Sequence, residues 1–137
     1  MLARYNKKER FRNKLTLGFT FYWGNSRSGR IIPKLKTRGK TMQTKLRRAN
    51  EWAKQIRNEK PMKEIWQTLK AKLRGHIQYY GVSHNIGKVN TFLSEVTRIM
   101  YKWLNRRSQR KSFTWEKFHK YMETDPLPRG KIVHKLF

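Results

Sequence analysis

Cysteine is absent from all 137 residues, which excludes a disulfide framework, a zinc knuckle and a thiol nucleophile. Acid is almost absent: eight carboxylates stand against 34 Lys and Arg. Asp125 is the sole aspartate, and the glutamates are scattered at 9, 51, 59, 64, 95, 116 and 123. Two-metal phosphoryl transfer needs carboxylates clustered around the ions, and this sequence offers no such cluster. The four histidines, His76, His84, His119 and His134, show no metal-ligand spacing, so neither a metal nor another cofactor is expected. Long apolar runs are lacking too, and nothing approaches the length of a membrane span. Residues 1–14 are basic, but no apolar segment or cleavage signal follows them, so a secretory leader is not indicated. The expected compartment is cytoplasmic.

What is abundant is positive charge. The formal net charge of +26 far exceeds what solubility requires. A compact chain this cationic repels itself, and a polyanion relieves the repulsion. Nucleic acid is the first partner to consider and an anionic membrane surface the second. Disorder is opposed by composition: Leu, Ile, Val and Phe make up about 22% of the chain, just above the range of disordered segments, and five Trp and six Tyr add buriable area.

The pattern along the chain predicts a mainly α fold, a three- to four-helix bundle preceded by an N-terminal β-hairpin. Positions 15, 17, 19, 21 and 23 are all apolar, the period of a strand with one buried face. Residues 24–29 form a turn cluster, and 30–36 read as a return strand that Pro33 confines to an edge. Met42, Leu46, Ala49, Ala53 and Ile56 stripe a helix over about 41–58, with Thr41 a candidate N-cap. A second helix opens near Pro61, carries Met62, Ile65, Trp66, Leu69, Leu73, Ile77 and Tyr80, and stops at Gly81. A third, over about 86–106, carries Val89, Phe92, Leu93, Val96, Met100, Trp103 and Leu104. A short fourth follows Thr114 as N-cap and ends before Pro126 and Pro128. The tail from Lys131 reads as a strand or an extended strap. The expected organisation is a basic lead-in (1–14), a hairpin with a basic linker (15–40), a helical domain (41–125) and a basic tail (126–137).

The cations are unevenly placed. No acid lies between Glu9 and Glu51, while twelve Lys or Arg do. A charge run is ordinarily a solvated face. Its length without compensating acid instead nominates Arg30, Lys34, Lys36, Arg38, Lys40, Arg47 and Arg48 as phosphate contacts. A second cluster, Arg106, Arg107, Arg110 and Lys111, follows the third helix. The helix dipole accounts for one or two of these charges and not for all four. In Gly75-His76-Ile77-Gln78-Tyr79-Tyr80-Gly81, His76 lacks a nearby Asp, Ser or Cys partner, so a packed histidine fits better than a general base. Tyr79 and Tyr80 could stack on bases, although helical spacing makes one of them core.

These blocks occur in a telling order. Leu17-Gly18-Phe19 is followed by Lys36-Thr37-Arg38-Gly39-Lys40, then by Gly75-His76-x-x-Tyr79-Tyr80-Gly81 with Asn85 after it. Last come Trp103-Leu104-Asn105-Arg106-Arg107-Ser108-Gln109-Arg110-Lys111-Ser112 and Trp115-x-x-Phe118. From about Leu15 onward the chain resembles the C-terminal portion of group II intron reverse transcriptase/maturases. The resemblance implies that the hairpin around Gly18 closes a polymerase palm and that the helices form the thumb, or domain X. In that family this domain binds the intron RNA, assists its splicing and holds the template–primer duplex. It further implies RNA contact through Arg38, Lys40, Arg47 and Arg48 and through Arg106, Arg107, Arg110 and Lys111, with packing roles for His76, Tyr79, Tyr80, Trp103 and Trp115. The family's catalytic Tyr-Ala-Asp-Asp turn, its fingers and its endonuclease have no counterpart here. The expectation is therefore a truncated or split product of a mobile element, without polymerase activity of its own; the alternatives are a reverse-transcriptase thumb fragment served by a palm in trans and a generic basic nucleic-acid-binding protein. Its partner would be intron RNA, with a fingers–palm fragment as a further candidate, in a bacterial cytoplasm or an organelle.

Overall fold

The computed structural model describes residues 18–106 and 114–135. The fold is mainly α: an antiparallel hairpin followed by four helices. Strand β1, Phe19–Asn25, pairs with β2, Ile31–Thr37, in a register that sets Phe19 opposite Thr37 and Trp23 opposite Pro33. Helices α1, Gly39–Ile56; α2, Met62–Tyr80; α3, Ile86–Asn105; and α4, Trp115–Thr124 follow. Helix α3 is the hub. Helices α1, α2 and α4 all pack on it, and α1 and α2 approach each other less closely.

The stripes expected on α2 and α3 are the core. Ile65, Trp66, Leu69 and Leu73 meet Phe92, Val96, Met100 and Leu104, joined by Ala53 of α1 and Phe118 of α4. Trp66 anchors α4 by edge-on contacts with Phe118 and Tyr121, and its Nε1 donates to the Asp125 carbonyl at 2.8 Å. The Asp125 carboxylate in turn accepts from Lys70 Nζ, 2.9 Å from each oxygen. The solitary aspartate is thus a structural clamp, neutralising a lysine that α2 buries. Thr114 caps α4 as expected, its Oγ1 accepting from Lys117 N.

Helix α1 departs from expectation at its start. It begins at Gly39, and the cap position belongs to Arg38, with no side-chain cap, rather than to Thr41. The hairpin decides this. Arg38 N–H donates to the Gly18 carbonyl, and the extended Arg38 presents its own carbonyl to Met42 N. Gly18 is obligatory at that junction. Its φ is +97°, and a Cβ there would crowd the Tyr80 hydroxyl.

The hairpin's apolar face is only half covered. Phe19 and Leu35 are buried in a second cluster with Ile77, Tyr80, Val82 and Val89. Phe21, Trp23 and Ile31, further toward the turn, are exposed, so the expected buried strand face holds only at its base. Leu15 and Leu17, the start of that pattern, lie outside the described residues. The tail is a strap, not a strand of the hairpin sheet. Val133 N and His134 N donate to the Gly81 carbonyl, and a single parallel bridge joins His134 to Val82. Gly81 ends α2 at φ −75°, ψ 64°, an inverse γ-turn in which Val82 N donates to the Tyr80 carbonyl. A Cβ at Gly81 would lie closer than 3.0 Å to the carbonyl oxygens of Ile77 and Lys131, so the turn and strap require glycine.

Asn85 joins hairpin to bundle. It is fully buried; its Oδ1 accepts from Thr37 N, and its Nδ2 donates to Thr37 Oγ1 and the Tyr80 carbonyl, each at 2.9 Å. The change Asn85→Leu strands these groups in an apolar interior and is expected to destabilise the chain by ~2–4 kcal/mol. Urea denaturation measures it, and a loss under ~0.5 kcal/mol would show that the amide is dispensable.

Candidate nucleic-acid interface

The 18-residue α1 turns one face toward α2 and displays cations along it. Near its start, Arg38, Lys40, Lys45 and Arg48 line a concavity of about 360 Å³ together with Thr41, Thr44 and Tyr80. The spacing explains the convergence, since positions 41, 45, 48 and 52 fall on one side of a helix. No carboxylate of the described residues lines this concavity. Glu51, the one acid of α1, makes no ion pair among the described residues. A second concavity, about 300 Å³, adjoins the first and shares Lys45 and Arg48 with it. Lys72, from α2, stands on its far side.

The electrostatics of the shared wall are strained. Lys45 Nζ lies 5.0 Å from the Tyr80 ring centre and 5.4 Å from that of Phe92. Burial, and then the neighbouring Arg48 guanidinium, lowers the Lys45 pKa. An anion placed between Lys45 and Arg48 would relieve both effects. His76 lies beneath, 2% exposed, stacked on Phe92 at 3.7 Å and on Tyr80 at 4.6 Å. Burial, and then the Lys45 charge, pushes its pKa down to about 3, so the imidazole is neutral at physiological pH. The Tyr79 and Tyr80 hydroxyls are pushed up by burial, the latter also by Tyr79.

A second cationic group gathers round Trp103 at the far end of α1. Arg57, Lys102, Arg106 and Lys54 lie 4.8, 4.9, 5.4 and 5.7 Å from its ring centre. Trp103 itself is buried, and its Nε1 donates to Asn50 Oδ1 at 2.8 Å. Contacts of Lys45 with Phe92 and of Arg57 with Trp103 show that α1 and α3 run in the same direction. The first group therefore runs from the start of α1 to its middle and the second lies at its far end, on a helix about 27 Å long at 1.5 Å per residue.

The residues nominated from sequence divide accordingly. Arg38, Lys40 and Arg48 come together. Arg47 is exposed and lines neither concavity. Lys34 and Lys36 alternate with the face that meets the bundle, Lys36 lying over Tyr22, and Arg30 is exposed at the hairpin turn. Arg106 joins the Trp103 group, whereas Arg107, Arg110 and Lys111 lie outside the described residues. His76, Tyr80, Gly81 and Trp103 are buried, and Tyr79 is partly so. Trp115 is 53% exposed rather than packed away, because α4 is short and turns Phe118 inward. Its ring meets Tyr101 edge-on at 4.8 Å. Sequence reasoning counted Lys45 in the acid-free run without nominating it, and it missed Lys54, Arg57 and Lys72. Their only linear signal was occurrence on exposed helix faces, and their neighbours come from other helices.

Among the described residues no group of His, Asp or Glu could hold a metal ion, and no helix is long and apolar enough to cross a membrane. Residues 40–122, more than half of the chain, match the family described as group II intron, maturase-specific domain. No curated protein and no solved structure matches the chain.

The neutral His76 sets a pH dependence. Its folded-state pKa lies below the unfolded value of about 6.5, so its contribution is whole above pH 6.5 and is lost as pH falls toward about 3. Replacing it by an uncharged ring, His76→Phe, is expected to remove ~3 kcal/mol of the stability lost between pH 7 and pH 4, at about 1.36 kcal/mol per pKa unit. Urea melts of both chains at the two pH values test this. Equal acid losses would contradict a buried neutral imidazole.

Proposed function

The chain belongs to the group II intron maturase-specific domain family, and from that premise we propose that it binds structured group II intron RNA and supports its splicing, with no polymerase chemistry of its own. The observation that carries the reading is the meeting of Arg38, Lys40, Lys45 and Arg48 in one concavity that no described carboxylate lines. The mechanism is electrostatic. Folded RNA crowds phosphates together, and each phosphate carries condensed counterions. Cations fixed on α1 displace those counterions and stabilise the crowded form over looser ones. Arg forks offer bidentate phosphate contacts, while Lys45, partly desolvated, is a stronger point charge than one in water. Specificity follows from RNA shape, since the cationic groups are spaced along a rigid helix and A-form grooves give little access to base edges. The cluster at Trp103, which includes Arg106, serves as a second point of contact in this reading. Template–primer duplex presents the same chemistry to the same surface.

A second reading is favoured by Phe21, Trp23 and Ile31, exposed on one face of the hairpin. A two-stranded hairpin is marginal alone, and an apolar face of this kind suits an adjoining sheet. In this reading a fingers–palm fragment supplied in trans covers that face, and the two together extend primers. Mixing the chain with a separately expressed fingers–palm fragment is then expected to restore primer extension that neither shows alone. No recovery rejects this second reading.

The first reading makes a quantitative demand. With ~6–10 phosphates contacted, affinity for intron RNA falls by roughly 10³–10⁵ between 50 and 200 mM salt. The double variant Lys45→Gln, Arg48→Gln is expected to flatten the log–log salt slope by about one per charge removed. Filter binding across a salt series measures both. A nearly flat wild-type dependence would remove the electrostatic mechanism.

A further inference from the structure

The 300 Å³ cavity between α1 and α2 has features that phosphate contact does not explain. Its base is apolar and buried, formed by Leu69, Leu73, Phe92 and Val96, and Trp52 stands at its side. Its rim carries Lys45, Arg48 and Lys72, none of which has a carboxylate partner among the described residues. Lys72 Nζ lies 5.1 Å from the Trp52 ring centre. An aromatic-walled slot with a cationic rim suits a ligand that is flat and apolar on its faces and anionic at one end.

Two further observations come from the slot's own residues. His76 lines it, and both ring nitrogens are buried without a hydrogen-bond partner. Unmet buried polar atoms destabilise by about 1–3 kcal/mol, so a purely structural stack with Phe92 and Tyr80 would be better served by an apolar ring. Gly75 sits within α2 at the slot's edge, without a positive φ, and a Cβ there would meet nothing within 4 Å. Glycine inside a helix is about 1 kcal/mol worse than alanine, and neither a turn nor a close internal contact calls for it. Both residues are poor choices for the isolated chain, and both leave room or polarity where a ligand would sit.

We propose that this slot receives the base of a single unpaired RNA nucleotide, with the attached phosphate held by Lys45, Arg48 and Lys72. The proposal rests on the RNA-binding reading and deepens it. The volume is at the lower end of small-ligand sites and suits one base, not a pair. Single-stranded loops and bulges offer such bases, and their faces stack on aromatic side chains. Lys45, whose ammonium lies over the ring stack, is drawn outward by the phosphate and uncovers the His76 edge. A neutral imidazole then offers one donor and one acceptor, a combination that every base can meet in part. The slot therefore favours an unpaired nucleotide over a paired one without selecting a single base.

The test uses the full chain, a fluorescently labelled ten-nucleotide oligouridylate and an abasic oligomer of equal length and charge. Wild type is expected to bind the base-bearing oligomer about tenfold more tightly, in keeping with ~1–3 kcal/mol per stacked base. The variant Gly75→Phe, which fills the slot from its open edge, is expected to bring that ratio to about one. A wild-type ratio near one, or a ratio that survives in folded Gly75→Phe, overturns the proposal. Independently of any variant, oligouridylate should shift the His76 ring ¹⁵N resonances of the wild-type chain and the abasic oligomer should not. Absence of that difference also overturns it. The RNA-binding reading fails separately: it is lost when intron RNA binding is weak or independent of salt, whereas loss of the slot alone leaves that salt slope intact.

Discussion

One buried amide holds the arrangement together. Asn85, in the loop between α2 and α3, bonds both the backbone and the hydroxyl of Thr37 and the last carbonyl of α2. Thr37 is the final residue of β2, and α1 begins two residues later at Gly39. The amide therefore determines where α1 starts relative to the α2–α3 turn. Because α1 and α2 approach each other less closely than either approaches α3, the groove between them has little direct support of its own. Its width follows from the anchor at Asn85, the hub helix α3 and the contact of Lys72 with Trp52.

The few acids are used locally. Asp125 neutralises Lys70 and ties the end of α4 to α2, Glu95 meets Arg98, and Glu123 meets His119. Among the described residues none of the acids lines the two concavities beside α1. A chain with 34 cations and eight acids cannot neutralise itself. Among the described residues two groups of cations stand against aromatic rings, one along the first half of α1 beside Tyr80 and Phe92 and the other around Trp103. Aromatic neighbours keep the cations close while leaving their donors available, which an ion pair would not.

The helices were legible in the sequence because their apolar residues recur at three and four positions, and the buried stripes of α2 and α3 are those residues. The family resemblance, carried by the Gly75–Gly81 and Trp103–Trp115 blocks, agrees with the matched span. Other features were not legible. Thr41 has the chemistry of a cap, but the hairpin's bond from Arg38 to Gly18 starts the helix earlier. Trp23 has the periodicity of a buried strand residue, yet periodicity records which side a residue faces and not whether anything covers that side. Trp115 sits in a specific motif and remains half open for a similar reason. Within the second cationic cluster, only Arg106 lies in the described residues.

The amino-acid sequence by itself determined the charge, the helical stripes, the glycine stops and the lack of a carboxylate cluster, because these are properties of composition and of spacing along one element. Only the tertiary structure decided that Lys45 and Arg48 face Lys72, that His76 is enclosed and neutral, and that Arg57 and Arg106 share one ring. Each of these depends on two helices meeting across a third. Such a meeting is set by side-chain packing on α3 and by the Asn85 anchor, neither of which leaves a periodic trace in the chain.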